Sequence, residues 1–268
     1  MSKYNDVIQY IFVSKYRPNG RRVTFSREDL ALACDHFGYE RIKNLGDIPY
    51  SYRFRRELPE AITQTAPAGT EWIISGRGIA EYEFRLARPS RVSVRNDGFP
   101  IKIPDATPEI VKLYATGTDE QALLCRARYN RLVDTFLQLT CYSIQNHLRT
   151  TVEGIGQIEV DEIYIGLNKR GAHFVIPVQA KSPGDNFGIT QVLQDMAFCA
   201  ERYPNAICRP LALQFLDENR VAMLELIITE EDDLLILHVL DEKLYQLVPH
   251  SSILDEDLRR SRYSDTDN

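Results

Sequence analysis

Apolar and polar positions alternate with different periods along the chain, and the period predicts the elements. Ser26-Arg27-Glu28-Asp29 precedes Leu30, Ala33 and Phe37 at helical spacing, which predicts a helix capped by Ser26 and stopped at Gly38. A second helix is expected after Pro49 or Pro59, with Tyr50, Tyr52, Arg53, Arg55 and Arg56 bunched after the first proline. Glu71–Ser75, the glycine turn Gly76-Arg77-Gly78, and alternation through Tyr82, Phe84 and Leu86 read as a hairpin. From about Thr118 to Asn146, Ala122, Leu123, Ala127, Leu132, Phe136, Leu137 and Leu139 recur at three- and four-residue steps, predicting one long helix. Strands are then expected over His147–Val152, Ile158–Leu167 and His173–Ala180, and a helix over Thr190–Tyr203. Three more strands follow at Leu211–Phe215, Val221–Ile228 and Leu234–Val239. The chain has no internal repeat and no low-complexity segment.

The stretch Asn96–Pro108 packs three prolines and an Asp-Gly turn into a short span and reads as a boundary. It divides the chain into an N-terminal domain, 1–104, and a C-terminal domain, 105–268. Helix, basic-aromatic helix and hairpin is the order expected of a winged helix-turn-helix module. The second half reads αβββαβ with strands appended, a mixed sheet covered by helices. The fold class expected is therefore α/β in the C-terminal domain and α+β overall.

The net charge of −6 is unevenly spread over the 268 residues. Residues 1–104 hold 17 Lys and Arg against 12 Asp and Glu, whereas 105–268 hold 15 against 26, which predicts a basic front for phosphate and an acidic back facing away. The five cysteines are scattered without a CxxC pair, which suits a reducing cytoplasm and argues against a disulfide framework or a zinc site. No apolar run approaches the roughly 20 residues of a membrane span.

Residues 158–181, IEVDEIYIGLNKRGAHFVIPVQAK, carry the chemistry. Strand alternation places Glu159 and Asp161 on one face, and Gln179 and Lys181 on one face of the next strand. With a loop over 168–172, Asp161 lies opposite Gln179 and Glu159 opposite Lys181, with Cβ atoms about 5 Å apart. Charge on apolar strands is costly unless paired or metal-bound. An ordinary cross-strand ion pair between Glu159 and Lys181 on a half-exposed sheet fits the spacing as well. Pro177 implies a local irregularity just before the motif.

An Asp on one strand followed by Gln-x-Lys ending the next, between two helices, resembles the PD-(D/E)xK nuclease superfamily. Val178-Gln179-Ala180-Lys181 is similar to the Mrr-type restriction nucleases, where Gln replaces the acidic residue. The resemblance covers roughly residues 118–228 by topology, and by motif only Asp161, Gln179 and Lys181; Val160 stands where the motif has proline. It implies a Mg²⁺ site on Asp161 and the Ala180 carbonyl, with Lys181 orienting the attacking water. Gln179 supplies only a neutral oxygen, and Glu159 would compensate. Asp134 and Glu153 are further candidates for an acidic residue that the superfamily often adds. Gln191, Gln194 and Asp195 on the following helix reach the site or form that helix's polar face.

The expected function is a Mg²⁺-dependent restriction-type endonuclease acting on double-stranded DNA as a homodimer, alongside a cognate DNA methyltransferase. Lys43, Tyr50, Tyr52, Arg53, Arg55, Arg56 and the wing residue Arg77 would contact DNA. The alternatives are a repair or recombination nuclease and a winged-helix transcription regulator with a degenerate nuclease fold. The five histidines show no metal spacing, and no nucleotide-binding loop is present.

Overall fold

The computed structural model describes residues 2–39, 42, 44–89, 91–114 and 119–258. It is a mixed α+β fold with a large mixed sheet flanked by helices. The N-terminal part runs α1 (Lys3–Lys15), β1 (Arg22–Ser26), α2 (Arg27–His36), α3 (Asp47–Phe54), α4 (Glu60–Thr63), β2 (Glu71–Gly78) and β3 (Glu81–Arg88). Short β4 (Arg91–Val92), β5 (Ile101–Pro104) and α5 (Glu109–Tyr114) lead to α6 (Glu120–Tyr129) and α7 (Leu132–Leu137). Then come β6 (Thr140–Val152), β7 (Gly156–Leu167), β8 (His173–Lys181), β9 (Phe187–Gly188) and α8 (Ile189–Arg202). The chain closes with β10 (Ile207–Cys208), β11 (Leu211–Phe215), β12 (Arg220–Glu231) and β13 (Leu234–Val248).

The capping signal at Ser26 is realised in full. Asp29 N–H donates to the Ser26 hydroxyl at 3.2 Å, and Ser26 N–H donates to the Asp29 carboxylate at 2.8 Å. The hairpin forms where alternation placed it, but Gly76 and Gly78 lie in β2, and Ile79-Ala80 makes the turn. A buried cluster of Ile8, Phe12, Phe25, Leu30, Trp72 and Phe84 ties these helices to their three strands.

The long helix expected over 118–146 is broken. It stops at Tyr129 because the Asn130 side chain leaves the helix pattern: its Oδ1 accepts from Ala106 N–H at 2.8 Å, and its Nδ2 donates to Thr107 Oγ1 at 2.9 Å. Arg131 (φ 48°) and Gln138 (φ 54°) turn the chain before and after α7, and the segment from Thr140 joins β6. The apolar spacing ends at Leu139; beyond it the β-branched and polar residues of β6 occupy an exposed sheet edge.

Among the described residues the main path of the sheet is β1-β3-β13-β12-β11-β8-β7-β6. The N-terminal strands are continuous with it through parallel pairing of Leu235 and Ile236 with Ala87 and Arg88. Strand β8 is buried almost throughout, as its near-continuous apolar run requires between two helical layers. Leu123, Ala127, Leu132 and Phe136 pack on one face against Ile176, Val178 and Leu213. On the other, Phe198 and Cys199 of α8 pack with Val160, Ile163 and Val175, while Ile189 and Val192 pack with Ala212 and Leu224.

Pro177 pairs regularly with Ile163, so the expected irregularity in β8 does not arise there. It falls on β8's other neighbour. Arg209-Pro210 separate β10 from β11 opposite Ile176-Pro177, a gap where two prolines face each other and neither has an N–H for the ladder.

The acidic residues of the β12–β13 turn do not face away. Arg22 pairs with Glu230 at 3.2 Å and Asp233 at 2.9 Å, and Arg85 pairs with Glu230 at 2.7 Å. These pairs lie at a partly exposed edge of the sheet, where Arg22, Glu230 and Asp233 keep a third or more of their side-chain surface. No helix among the described residues is long and apolar enough to cross a membrane.

Candidate active site

The ladder between β7 and β8 runs from Leu167↔His173 to Glu162↔Val178 and stops there. One residue further, where Asp161 and Gln179 would come next in the same register, the strands part. The Asp161 carboxylate takes over the vacated position and accepts from Ala180 N–H at 2.8 Å. The other edge of β8 stays paired with β11 through Lys181↔Gln214, so the end of β8 is held while its β7 edge opens. In an extended strand one residue's N–H and C=O point to the same edge, so the Ala180 carbonyl also faces the gap. The sequence therefore placed Asp161, Gln179 and Lys181 together by register, and the opening of the strands came from the structure.

On its far side Asp161 faces His147. The β6–β7 ladder pairs Asn146 with Glu162 and Leu148 with Val160 and skips the pair between them. His147 has φ 47°, a left-handed backbone in the middle of a strand. No histidine spacing singled it out; its signal is purely conformational.

Burial pushes the Asp161 carboxyl above its ordinary value, opposed by the Ala180 N–H and by the charges of Lys181 and His147, and reinforced by Glu120. Glu120, not singled out by the sequence, is a further acid near Asp161. It stands in the first turn of α6, after the Asp119 cap, and accepts from Ser182 Oγ at 3.1 Å just past the motif. Asp134 and Glu153, the acids singled out by sequence, lie elsewhere. Asp134 pairs with Arg131 and accepts from Cys141 N–H at 2.9 Å, fastening α7 to β6. Glu153 sits on the β6–β7 turn, its N–H donating to Glu201 at 2.7 Å.

Glu159 lines the site but does not face Lys181. Its carboxylate pairs with Arg149 across the β6–β7 ladder at 3.0 Å, because the β7–β8 ladder that would have opposed it to Lys181 has already ended. Gln179 is turned into the protein. Its Nε2 donates to Asp195 Oδ1 at 3.0 Å and Oδ2 at 3.3 Å, and its Oε1 accepts from Gln191 Nε2 at 3.4 Å. Gln194 and Asp195 are buried, so they are not an exposed polar face of α8. Desolvation holds the Asp195 carboxyl well above the usual range; the Gln179 bond and Lys181 oppose that rise, and Asp161 adds to it.

These groups form one wall of a cleft of about 1250 Å³. The opposite wall comes from α3 and the β2–β3 turn, including Tyr50, Arg53, Arg55 and Ile79. Arg55 stacks over the Tyr50 ring at 5.2 Å, and burial lowers the Arg53 pKa against the raising effect of Tyr82 and Tyr50. Two expected DNA contacts, Tyr52 and Arg56, line the cleft and also serve the fold. Tyr52 is buried and donates to Asn5 Oδ1 at 2.6 Å, with its hydroxyl pKa pushed up to about 12 by desolvation. Arg56 stacks on Tyr4 and donates to Ser2 Oγ at 3.2 Å, although part of it reaches the cleft. Arg77 is exposed but does not line the cleft, because its neighbour Gly76 is the β2 residue facing Ile155. Lys43 lies outside the described residues.

No three His, Cys, Asp or Glu side chains converge as a metal cage among the described residues. Mg²⁺ takes one or two carboxylates and completes its octahedron with waters and substrate phosphate, and Asp161, Glu120 and the Ala180 carbonyl are oxygen donors of that kind. No protein-family model matches the chain, and neither a curated protein nor a solved structure matches it.

Proposed function

We propose that the chain is a Mg²⁺-dependent endonuclease of restriction type, hydrolysing phosphodiester bonds of double-stranded DNA in the cytoplasm. The observation that carries this reading is the 2.8 Å bond between Asp161 and Ala180 N–H at the point where β7 and β8 part, with Lys181 one residue further along the cleft wall. Asp161, the Ala180 carbonyl and Glu120 would hold the ion. When bound, Mg²⁺ polarises a phosphoryl oxygen and lowers the pKa of a coordinated water. Lys181 would orient the attacking water and offset charge on the phosphate in the transition state. Burial raises the Asp161 carboxyl, and a bound cation would favour its charged form.

The N-terminal order α1-β1-α2-α3-α4-β2-β3, with strands arranged β1-β3-β2, supports a winged-helix recognition module. Tyr50 and Arg53 on α3, and Arg55 just past its end, would then face phosphate and base from the opposite wall. Cutting both strands takes two sites, which favours a homodimer, and a methyltransferase acting on the same sequence would protect the host DNA. The second reading, a regulator with a degenerate nuclease fold, draws on the engagement of Gln179 with Asp195.

A Mg²⁺-titrated plasmid cleavage assay tests the reading, comparing wild type with Lys181→Ala and Asp161→Ala on methylated and unmethylated DNA. Mg²⁺-dependent cleavage by wild type, reduced by about 10²-fold or more in each variant, is expected. Sequence-specific binding by a folded wild type that cuts no substrate would select the regulator.

A further inference from the structure

Folding brings together two cysteines that no spacing in the sequence linked. Cys199 lies near the C-terminal end of α8, and Cys208 lies in β10. Strand β10 runs parallel to β8 with Cys208 in register beside Val175. Side chains in register on neighbouring strands point to the same face of a sheet. Val175 is buried on the face that α8 covers, in one cluster with Phe198 and Cys199, and Cys208 packs against that cluster. The two thiols therefore meet between helix and sheet, where the Cys199 S–H donates to Cys208.

The chain around them is held in place. Tyr203 N–H donates to the Cys199 carbonyl at 2.9 Å, and Ala206 N–H donates to the Tyr203 carbonyl at 3.0 Å. The Tyr203 ring meets Phe198 edge to face, and Arg209 N–H donates to the Val175 carbonyl at 3.0 Å. We propose that Cys199 and Cys208 form a reversible oxidation site, where hydrogen peroxide converts the two thiols into a disulfide that fastens α8 to β10.

Cys208 is the partly exposed member and Cys199 the buried one, so the oxidant meets Cys208 first. The bond with Cys208, reinforced by burial, holds the Cys199 thiol above its ordinary value, which bars it from attacking peroxide itself. The Cys208 sulfur attacks one peroxide oxygen and the O–O bond breaks. Cys208 becomes a sulfenic acid, and the other oxygen leaves with the thiol's proton as water. The Cys199 sulfur then attacks the sulfenic sulfur, and its own proton leaves with the hydroxyl as a second water. The thiols give up two electrons and two protons, and the peroxide is reduced to two waters. In the cytoplasm proposed above, a disulfide with a half-exposed sulfur is open to reductants, so the link records oxidation and is not a permanent staple. Cys199 is one helical turn from Asp195, the partner of Gln179, so the link would fix the helix beneath the cleft.

The test treats the folded full chain with hydrogen peroxide, with glutathione present as a reference thiol. Remaining thiols are alkylated after denaturation, and the protein is mapped by mass after trypsin, which cuts at Arg202 between the two cysteines. The expected map joins the Cys199 and Cys208 peptides, and dithiothreitol separates them. Closing so short a loop should raise the Tm of the oxidised form by about 4–10 °C. In Cys208→Ser, Cys199 should stay a thiol and peroxide should move Tm by less than about 1 °C. In Cys199→Ser, Cys208 should gain oxygen instead of forming a link. The proposal is overturned if both thiols survive a dose that oxidises the glutathione, if the link runs to another cysteine, or if Cys208→Ser shows the same Tm rise. Should Cys199→Ser not fold, the wild-type map and Cys208→Ser decide between these outcomes.

Discussion

Gln179 and Asp195 are bonded to each other in the interior, Nε2 to Oδ1 at 3.0 Å, with both side chains almost wholly out of water. A carboxylate buried beneath the cleft explains why an amide is useful at position 179. A glutamate there would set two desolvated acids against one another, whereas glutamine donates to the one already present.

Asp195→Asn should flatten the pH dependence of stability. Burial raises the folded-state pKa of Asp195 above its unfolded value. Its favourable contribution is therefore fully present below about pH 4 and is lost as pH rises towards the folded pKa. The asparagine keeps an oxygen for Gln179 and has no proton to lose. In EDTA its Tm at pH 8 should exceed that of wild type by about 2–4 °C, the shift that about 1 kcal/mol produces in a protein of this size. Equal Tm curves from pH 4 to pH 8 would contradict it.

Gly76→Ala should unseat the hairpin. The added methyl meets backbone, not a movable side chain, so β2 or the β6–β7 turn must shift. Overpacking of this kind costs about 1–3 kcal/mol. A Tm drop of about 2–12 °C is expected, with protease sensitivity increased near residues 152–156; an unchanged Tm would show that the close approach is absent.

Glu120→Gln should raise the Mg²⁺ concentration for half-maximal cleavage by about tenfold, because a neutral amide replaces one of few oxygen anions near Asp161. The amide oxygen can still accept from Ser182, so Tm in EDTA should stay within about 2 °C of wild type. A normal Mg²⁺ curve would remove Glu120 from the metal site.

Arg128→Met should destabilise the other face of β7. Glu162 is fully buried and pairs with Arg128 at 2.8 Å, while desolvation already raises its carboxyl. Stranding a buried acid costs about 3–5 kcal/mol, reduced here to about 1–3 because Arg128 is partly solvated. With Glu162 raised further, the stability loss should grow as pH rises from 5 to 8. Urea midpoints at both values check this, and a smaller loss at pH 8 would refute it.

Much was legible in the residues alone. Alternation and helical spacing located β7, β8, α8 and the N-terminal hairpin, because burial on one face leaves its period in the sequence. The loop length over 168–172 set the β7–β8 register that aligns Asp161 with Gln179. The end of helix α6 was not legible: Asn130 stops it through bonds to Ala106 and Thr107, more than twenty residues away.

Tertiary structure alone decided what the site can hold. Local pattern told which side chains share a strand face, but not that the strands part at Asp161, that Glu120 arrives from α6, or that Asp195 lies beneath Gln179. It equally hid the pairing of Arg22 and Arg85 with Glu230 and Asp233 at the β12–β13 end of the sheet, which engages two of the N-terminal cations. These contacts join residues distant in sequence. Their energies depend on desolvation and distance, which a residue acquires only when the chain has closed around it.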